Sequence, residues 1–338
     1  DRLVPVTSPR RAPGGFPVVG ILGAGQLARM CQPPAVGLSI TLSVLAESAD
    51  DSAALVVLSS PVGDDKDIEV VRAFARDCDA VTFDFDHQQV PPEVLAALEA
   101  DGVFLRPSPA ALVFAHDKLA MRRRLTEIGV ACPRWAQVRD AASLQSFGDE
   151  VGWPVVVKNP KRGYDGKGAR VVRSPEEVAD WFAQVAQDAA EGGGSLVDGL
   201  LAEEKVDLVR ELAVLVARSP SGQASSWQIV ETVRSDGIYT QVLAPAPRLE
   251  PNLAAVVTQA ALRIAGELGV TGVMAVELFE VRDARTGDPA YMVNDLAMGP
   301  HISGHWTIDG SVTSRFERHL EAIPDTPTGD TRPRARCA

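Results

Sequence analysis

Apolar runs of five or six residues alternate with helical patterns along the first third of the chain. The apolar runs predict buried strands at 17–22, 40–45 and 80–85, and the segments at 23–30 and 67–76 are typical of helices. Strands that alternate with helices over about 100 residues indicate a parallel sheet with helices on both faces, a doubly wound α/β domain.

Two consecutive prolines interrupt the first of these helices. Pro33 and Pro34 lack the backbone N–H groups that an α-helix needs, and each ring crowds the turn before it. We therefore expect the helix that opens at the glycine-rich turn 23–25 to end after about two turns.

The rest of the chain mixes helices with strands that follow one another directly. Helices are predicted where apolar residues recur at helical spacing, and strands without intervening helices indicate an antiparallel meander, so a second, α+β region follows the first domain. Its predicted elements are helices at 117–128, 175–190 and 253–268, a pair of strands within 155–172, a linker at 191–195, and strands at 200–203, 212–217, 226–232, 239–244, 272–280 and 290–294.

The same patterns divide the chain into four segments. Residues 1–16 are rich in Pro and Arg and lack an apolar stretch, so we expect a disordered leader rather than a signal peptide. Residues 17–115 should form the parallel domain, and residues 116–323 should form the α+β region. The tail at 324–338 is rich in Pro, Thr and Arg, and we expect it to be frayed.

Charge and cysteine content exclude several classes of function. The 338-residue chain has a formal net charge of −12 at pH 7, which argues against nucleic acid or an anionic membrane as its main partner, because both would repel it. No apolar run reaches the ~18 residues needed to span a bilayer. The four cysteines, Cys31, Cys78, Cys132 and Cys337, show no metal-binding or paired spacing, which predicts free thiols in a reducing cytoplasm.

A lysine at the end of a predicted strand is followed by a glycine-rich loop. Lys158 ends the apolar run 153–157, and Gly163, Gly166 and Gly168 alternate with polar residues after it. Glycines let backbone N–H groups approach an anion closely, and a lysine adds a point charge. The segment therefore predicts a triphosphate site, and the alternative is a hairpin turn on a solvated sheet edge.

Two acidic residues lie on neighbouring predicted strands of the second region. Glu277 and Asp295 are each embedded in an apolar run, and Asn294 precedes the second of them. In an antiparallel pair both carboxylates can lie on one face, and such oxygen ligands suit a Mg²⁺ ion that also binds substrate phosphates. The alternative, a pair of surface acids on an edge hairpin, fits poorly with their apolar neighbours.

Two weaker patterns suggest nucleotide contacts. Residues 203–206, followed by Glu211, lie where a strand leaves one lobe for the other, and such a linker can contact an adenine edge and a ribose. The turn at 23–28 has the shape of a dinucleotide fingerprint, and Glu47 ends the second strand where a ribose-binding acid would lie. The same turn serves any doubly wound domain that binds phosphate at a helix N-terminus, so an NAD-dependent dehydrogenase stays an open alternative.

The order of the lysine, the glycine-rich flap, the linker and the paired acids resembles that of ATP-grasp enzymes. Within them, the chain resembles the N5-carboxyaminoimidazole ribonucleotide synthetase (PurK) family over roughly residues 17–330. The resemblance implies a two-lobed ATP-grasp domain at 116–323, with its flap near 159–169, after a Rossmann-like pre-ATP-grasp domain at 17–115. The segments that carry it are 19–30, Asp117-Lys118, Gly163-Tyr164-Asp165-Gly166-Lys167-Gly168, 201–211, 272–277, Pro300-His301 and Ser303-Gly304-His305-Trp306.

The resemblance implies a reaction in two stages, which belongs to purine biosynthesis. ATP phosphorylates bicarbonate to carboxyphosphate, which delivers CO2 to the exocyclic amine of aminoimidazole ribonucleotide as a carbamate. Metal ions and lysines would neutralise charge on the transferred phosphoryl group, and a closed flap would keep water from the labile acyl phosphate. A cytoplasmic homodimer whose partners are small molecules is also implied.

The same resemblance implies a role for individual residues, with ATP and Mg²⁺ as cofactors and bicarbonate as a substrate. The phosphates would be held by Lys118, Lys158, Gly163, Gly166 and Gly168, the adenine by Glu203, Glu204, Lys205 and Val206, and the ribose by Glu211. The Mg²⁺ would be bound by Glu277, Asp295 and Asn294. The catalytic residues would be Tyr164, Asp165, Lys167 and His301, and the substrate-binding residues would be Gln26, Asp84, Asp86, Ser303 and His305.

Several positions depart from the family's usual pattern. Where the family has Asn-Glu-Ile/Leu-Ala-Pro-Arg-Pro-His-Asn-Ser-Gly-His, this chain has Asp295 for the glutamate, Gly299 for the arginine and Ile302 for the second asparagine. Loss of an arginine that pairs with an anionic substrate removes a charge-assisted contact worth about 1.5–3 kcal/mol. Arg162 replaces the first flap glycine, and residues 84–87 are Asp-Phe-Asp-His where Glu-x-Glu-His is usual.

The family continues into a small β-rich C-terminal domain with a Gly-Arg-Lys-Met-Gly-His segment that contributes to the substrate site. That segment has no counterpart before Ala338, so we expect this domain to be missing. Three alternatives stay open from the sequence: the family's carboxylating ligase, an ATP-dependent ligase that joins a different acid and amine, and a non-catalytic nucleotide-binding relative.

Overall fold

The computed structural model describes residues 14–84, 90–161, 168–235 and 238–334, so most of the expected leader lies outside the described residues. The strands are β1 Val18–Leu22, β2 Thr41–Leu45, β3 Ala80–Phe83, β4 Trp135–Val138, β5 Val155–Lys158, β6 Ala169–Val172, β7 Leu200–Glu204, β8 Leu208–Arg218, β9 Ala224–Ser226, β10 Val230–Ser235, β11 Ile238–Leu243, β12 Gly272–Arg282 and β13 Pro289–Met298. The helices are α1 Gln26–Gly37, α2 Ile68–Ala75, α3 Pro92–Ala100, α4 Pro109–His116, α5 Lys118–Glu127, α6 Ala141–Val151, α7 Ala179–Glu191, α8 Pro251–Glu267, α9 Thr307–Gly310 and α10 Arg315–Ala322.

The first three strands form the sheet of the N-terminal domain. They run parallel in the order β2-β1-β3, with Val18 opposite Thr41 and Val19 opposite Ala80. Every residue of β1 is buried, because apolar clusters that include helix residues cover both faces of the sheet. A strand covered on both faces takes a continuous apolar run, which is the pattern that predicted it. The predicted parallel α/β domain is confirmed.

The predicted end of the first helix was wrong. α1 continues through Pro33 and Pro34 to a length of 12 residues. The prolines remove N–H groups that would bond one turn back, but Ala28, Cys31 and Ala35 are buried, and α1 packs against α10. Tertiary packing of an apolar helix face outweighs the lost hydrogen bonds here.

Two antiparallel sheets form the second region. A four-stranded sheet has the order β4-β7-β5-β6, and α6 and α7 share its apolar cluster. A six-stranded sheet has the order β11-β10-β8-β12-β13, with β9 paired to β8, and α8 packs along β8 and β13. The predicted α+β region is confirmed, including the pair of strands around the glycine-rich loop.

Some element boundaries differ from the prediction. The helix predicted at 175–190 begins as the 3₁₀ segment Pro175–Val178 before α7. The strand predicted at 226–232 is divided into β9 and β10, because Trp227 between them turns into the interior. Its indole N–H donates a hydrogen bond to the Thr313 carbonyl at 3.2 Å.

The tail does not fray in the part that the structure describes. Residues 324–334 return to the segment before α10, where the Val312 N–H donates to the Arg332 carbonyl at 2.9 Å and the Thr313 N–H donates to the Asp330 carbonyl at 3.0 Å. These backbone hydrogen bonds hold a segment whose composition alone predicted disorder. Over the described ranges, no helix has both the length and the apolarity to cross a bilayer.

α10 joins the two regions. Phe316 and Leu320 belong to the apolar cluster of the parallel domain. His319 bridges to both sheets, because the Val273 N–H of β12 donates to its Nδ1 at 3.0 Å and its Nε2 lies 3.2 Å from Thr82 Oγ1 of β3. Since Nδ1 accepts, the neutral ring carries its proton on Nε2. Burial lowers the pKa of His319 to about 3.

Acid should weaken the fold through His319. Below its ordinary pKa of 6.5, the ring of the unfolded chain takes up a proton, whereas the buried ring stays neutral down to about 3. The unfolded state therefore binds more protons in this window, and this group alone lowers stability by about 1.4 kcal/mol for each pH unit of acidification. We expect His319→Gln to reduce the loss of unfolding free energy between neutral pH and about pH 5, measured by urea denaturation. An unchanged pH slope would contradict this role.

Candidate active site

A cavity of about 900 Å³ is lined by residues of both antiparallel sheets and of the start of α1. Most of the predicted site residues within the described part of the chain lie on its wall. These are Gln26, Lys118, Lys158, Gly168, Glu203, Glu204, Lys205, Val206, Glu211, Glu277, Asn294, Asp295, His301 and His305.

The other predicted site residues form two groups. Asp84 and Ser303 are buried and do not line this cavity. Asp84 accepts a hydrogen bond from the Ala28 N–H in α1 at 3.3 Å, and Ser303 contacts His301; their roles in substrate binding stay predictions. Asp86, Gly163, Tyr164, Asp165, Gly166 and Lys167 lie outside the described residues, and their roles stay predictions.

Local structure holds two lysines at one end of the cavity. Asp117 caps α5 by accepting two backbone N–H groups of its first turn, at 2.9 and 3.1 Å, which makes Lys118 the first helical residue. The Lys118 N–H donates to the Pro160 carbonyl at 2.9 Å. The start of α5 is therefore joined to the end of β5, which carries Lys158.

Lys158 belongs to a buried charge network. Its Nζ lies 2.6 Å from Glu203 Oε2 on β7, and Arg122 Nε donates to Glu203 Oε1 at 2.5 Å. Arg122 is fully buried and also donates to the Asn294 carbonyl at 2.6 Å. Burial by itself would raise the pKa of Glu203, but the charges of Lys158 and Arg122 outweigh it and lower the pKa to about 2. The Glu203 carboxylate thus orients Lys158, which the sequence pattern did not reveal.

Strands β12 and β13 bring the predicted metal residues together. Glu277 and Asp295 are opposite each other in antiparallel register, and a register shift follows Glu277. Lys118 Nζ donates to Asp295 Oδ2, and Lys158 Nζ donates to Asn294 Oδ1 at 3.1 Å. Oxygen acceptors therefore alternate with ammonium groups along this part of the cavity wall.

Glu277 is held by three side chains. Arg234 Nη2 donates to its Oε2 at 2.6 Å, Tyr239 Oη donates to its Oε1 at 2.5 Å, and His301 Nε2 lies 3.2 Å from the same Oε1. Burial raises the pKa of Glu277, but the hydrogen bond from His301 and the charge of Arg234 outweigh burial, so the carboxyl ionises well below its usual range. Arg234 Nε also lies 3.1 Å from Glu211 Oε2.

Arg234 and Tyr239 were not predicted, although strand alternation carries a signal for them. Val230, Thr232 and Arg234 share one face of β10, and the first two are buried. Tyr239 is opposite Arg234 on β11. An arginine that follows two inward positions at the strand period is expected to face the interior and to need an acidic partner there.

His301 is positioned by Ser303. The Ser303 N–H donates to His301 Nδ1 at 3.4 Å, and Ser303 Oγ lies 2.9 Å from the same nitrogen. Because Nδ1 accepts, the neutral imidazole carries its proton on Nε2, and this N–H donates a hydrogen bond to Glu277. Ser303 therefore sets the tautomer of His301 without lining the cavity.

The donor set fits a hard divalent cation. Glu277, Asp295 and Asn294 offer only oxygen ligands at this wall, the chemistry that Mg²⁺ prefers. Within 14–84, 90–161, 168–235 and 238–334, no cluster of three or more His, Cys, Asp or Glu side chains could hold a metal by itself. A Mg²⁺ ion at these oxygens would complete its coordination with water and substrate phosphates, as it does at ATP sites.

Comparisons with known proteins agree with this architecture. A family model described as ribonucleotide synthetase preATP-grasp domain matches residues 17–116, and one described as ATP-grasp domain matches residues 123–316. The N5-carboxyaminoimidazole ribonucleotide synthase of Mycobacterium bovis is 48% identical over 315 residues, which cover 93% of this chain and 70% of that protein. The chain belongs to the N5-carboxyaminoimidazole ribonucleotide synthase family. The resemblance seen in the sequence is confirmed.

Solved structures of the synthase family share the fold. One from Aspergillus clavatus, complexed with ATP, is 29% identical with a TM-score of 0.81, and the match covers 94% of this chain and 80% of that chain. Another from the same organism, in complex with ADP and 5-aminoimidazole ribonucleotide, is 29% identical with a TM-score of 0.80 and the same coverage. The dehydrogenase alternative drawn from the turn at 23–28 is wrong for a member of the synthase family.

Proposed function

We propose that this chain catalyses the ATP-dependent carboxylation of aminoimidazole ribonucleotide. A bicarbonate oxygen attacks the γ-phosphorus of ATP, the bond to ADP breaks, and carboxyphosphate forms. Its carboxyl carbon is then transferred to the exocyclic amine, which loses a proton and becomes the N5-carbamate as phosphate leaves. The observation that carries the proposal is the array of lysines and carboxylates at one cavity wall, formed by Lys118, Lys158, Glu277 and Asp295 in a chain of the synthase family.

The two lysines are suited to the phosphoryl transfer of the first stage. Lys118 is held by Asp295, and Lys158 is held by Glu203 and Asn294, so both ammonium groups are fixed at the wall. Preorganised cations stabilise charge that develops on the transferred phosphoryl group without rearranging during the reaction.

Oxygen ligands at the same cavity wall would hold Mg²⁺. Glu277, Asp295 and Asn294 are the residues we assign to it, and the ion when bound supplies positive charge at the phosphate oxygens. Glu277 stays ionised across the working pH range because its pKa lies far below its usual range. His301 also lines the cavity, and its protonated Nε2 faces the Glu277 carboxylate and orients it.

The adenosine part of ATP fits beside the connection between β7 and β8. Residues 204–208 pass along the cavity wall there, and an extended connection presents backbone donors and acceptors to a purine edge. Glu211 follows on β8, and its ion pair with Arg234 fixes the position of its carboxylate. The carboxylate can still accept hydrogen bonds from ribose hydroxyls.

A ligase for a different amine is the second candidate. Gly299 and Ile302 line the cavity where the family's usual pattern has arginine and asparagine. Ile302 is 44% exposed, so an apolar side chain stands at the wall in place of an amide. Such a change favours an amine substrate with fewer polar groups on that side.

ADP release with MgATP and bicarbonate, with and without aminoimidazole ribonucleotide, tests the proposal. We expect the ribonucleotide to stimulate ADP release, with one carbamate formed for each ADP. Stimulation by another amine alone would favour the second candidate. Absence of ADP release with every amine tested would contradict an ATP-dependent ligase.

We also propose that the reaction takes place in the cytoplasm. Cys31, Cys78 and Cys132 form no disulfide among the described residues, and a reducing compartment keeps cysteines in the thiol form. The homodimer implied by the family stays a prediction, and light scattering of the purified chain tests it.

A further inference from the structure

Arg315 is a buried cation at the wall of the same cavity. It is 0% exposed, yet it lines the cavity together with Gly299 and His305. Its Nε donates to the Pro300 carbonyl at 3.1 Å, and its Nη2 donates to His305 Nδ1 at 3.1 Å. Its Nη1 has no hydrogen-bond partner among the described residues. The guanidinium therefore has bonding capacity that the protein atoms described do not use.

Among the described residues, the groups around Arg315 do not neutralise it. Burial raises the pKa of the Cys31 thiol to about 12, and burial together with the Arg315 charge lowers the pKa of His305, so both are neutral near pH 7. Burial lowers the pKa of Arg315 itself to about 10, which leaves it charged. No carboxylate in the described part of the chain forms an ion pair with it, and a buried charge without an opposite charge destabilises a fold.

The backbone conformation at Gly299 disfavours an arginine there, whereas Arg315 of α10 places a guanidinium nearby. The family's usual pattern has at this position an arginine that pairs with an anionic substrate. Gly299 has a φ of +122°, which side chains of L-residues rarely adopt, and its N–H donates to the Val273 carbonyl at 2.6 Å. An arginine would be strained in this conformation, whereas Arg315 brings a guanidinium to the carbonyl of the next residue, Pro300.

We propose that Arg315 binds a phosphate oxyanion of the reaction in place of the arginine that position 299 lacks. The inference rests on the proposed function, because it concerns the same cavity and the same reaction. A planar guanidinium matches two phosphate oxygens, and such charge-assisted hydrogen bonds are roughly twice as strong as neutral ones. The oxyanion has two sources of the same chemistry: the carboxyphosphate of the first stage and the phosphate monoester of the ribonucleotide.

Arg318 provides a matched control on the same helix. It is 2% exposed, but its Nη1 lies 3.3 Å from Glu321 Oε2, and its Nη2 donates to Ser225 Oγ at 2.8 Å. It does not line the cavity. This arginine is buried and paired, so its replacement should weaken the fold and leave substrate affinity unchanged.

The test compares Arg315→Gln with Arg318→Gln. If the oxyanion is the phosphate monoester, Arg315→Gln should raise KM for aminoimidazole ribonucleotide about 10- to 100-fold, as for the loss of one charge-assisted contact, and should leave KM for ATP unchanged. Its Tm should be equal to or above that of the wild type, because an unpaired buried charge is removed. Arg318→Gln should lower Tm and leave both KM values unchanged. Arg315→Lys, which keeps the charge but not the planar fork, should fall between wild type and Arg315→Gln.

Two further measurements identify the source of the oxyanion. Aminoimidazole riboside lacks the phosphate monoester, so if Arg315 binds that group, wild type and Arg315→Gln will bind the riboside equally. If Arg315 binds carboxyphosphate instead, bicarbonate-dependent ADP release without any amine will fall in Arg315→Gln. Either result supports the proposal.

Inorganic phosphate gives a readout that does not depend on turnover. At constant ionic strength, phosphate should raise Tm of the wild type and of Arg318→Gln, but not of Arg315→Gln. If aminoimidazole ribonucleotide does not stimulate ADP release in the wild type, the proposed function fails while this phosphate effect still supports an oxyanion site. Unchanged ribonucleotide affinity and unchanged bicarbonate-dependent ADP release in Arg315→Gln, together with an unchanged phosphate effect, would overturn the role of Arg315.

Discussion

Replacement of Arg122 by methionine is expected to lower the free energy of unfolding by about 3–5 kcal/mol, the cost of breaking a buried ion pair. Arg122 is fully buried and donates to the Glu203 carboxylate and to the Asn294 carbonyl. Methionine fills similar volume but leaves those oxygens with fewer donors, and Lys158 alone then faces Glu203. The fall in the pKa of Glu203 from 4.5 to about 2 corresponds to about 3 kcal/mol, the same order of magnitude. Urea denaturation at neutral pH measures the difference.

Arg123→Met is the matched control for this prediction. Arg123 is the next residue of α5, is exposed, and donates to Gln137 Oε1 at 2.8 Å, so its replacement should change stability by less than about 0.5 kcal/mol. Glu203 adds a pH test. Its folded pKa is below its unfolded value, so its stabilising contribution is complete above pH 4.5 and is lost as the pH falls toward 2. The gap between wild type and Arg122→Met should narrow over that range. Equal stability of the two arginine variants at neutral pH would show that the buried network does not stabilise the fold.

The elements that the sequence predicted well are those whose buried residues are apolar. β1 is buried at every position, and its continuous apolar run predicts a parallel strand for that reason. α10 was not predicted, because Arg315, Arg318, His319 and Glu321 are all buried on it and hide the apolar period. Several of these buried side chains have partners far away in the chain, such as the Val273 N–H of β12 for His319 and Ser225 Oγ for Arg318.

Errors at the prolines and at the tail have a common cause. Pro33 and Pro34 disfavour a helix locally, and the composition of 324–334 disfavours order, yet both segments are held by contacts with distant parts of the chain. Local propensity is a weak prior when a segment packs against a preformed surface, and the sequence contains no local signal of that packing.

The sequence predicted those parts of the candidate site in which the register of paired strands brings the residues together. Glu277 and Asp295 are opposite each other on paired strands, which a short turn between two apolar runs already indicates. The function of Glu203 depends instead on Arg122, 81 residues away in the chain. Contacts at such separation are set by the tertiary fold, and neither spacing nor composition specifies them.

Glu277→Gln should produce the largest loss of activity, about 10²- to 10³-fold in kcat for ribonucleotide-dependent ADP release, as for loss of one preorganised charge at a phosphoryl-transfer site. The amide keeps the shape of the side chain but removes the negative charge that we assign to Mg²⁺, and Arg234 then faces a neutral group. The Mg²⁺ concentration needed for half-maximal ATP binding should rise as well. ATP titrations at a series of fixed free Mg²⁺ concentrations measure it without turnover.

Glu280→Gln controls for the removal of a buried acid from the same strand. Glu280 is 5% exposed, accepts from Arg210 Nε at 2.6 Å, and does not line the cavity, so this variant should lose stability but keep kcat and the Mg²⁺ requirement. Because the pKa of Glu277 lies far below its usual range, the carboxylate is ionised at every pH at which the enzyme is assayed. The ratio of wild-type to Glu277→Gln rates should therefore stay constant from about pH 6 to about pH 9. A ratio that changes tenfold over that interval, or equal losses in both glutamate variants, would mean that Glu277 acts through proton transfer or through folding rather than as a fixed charge.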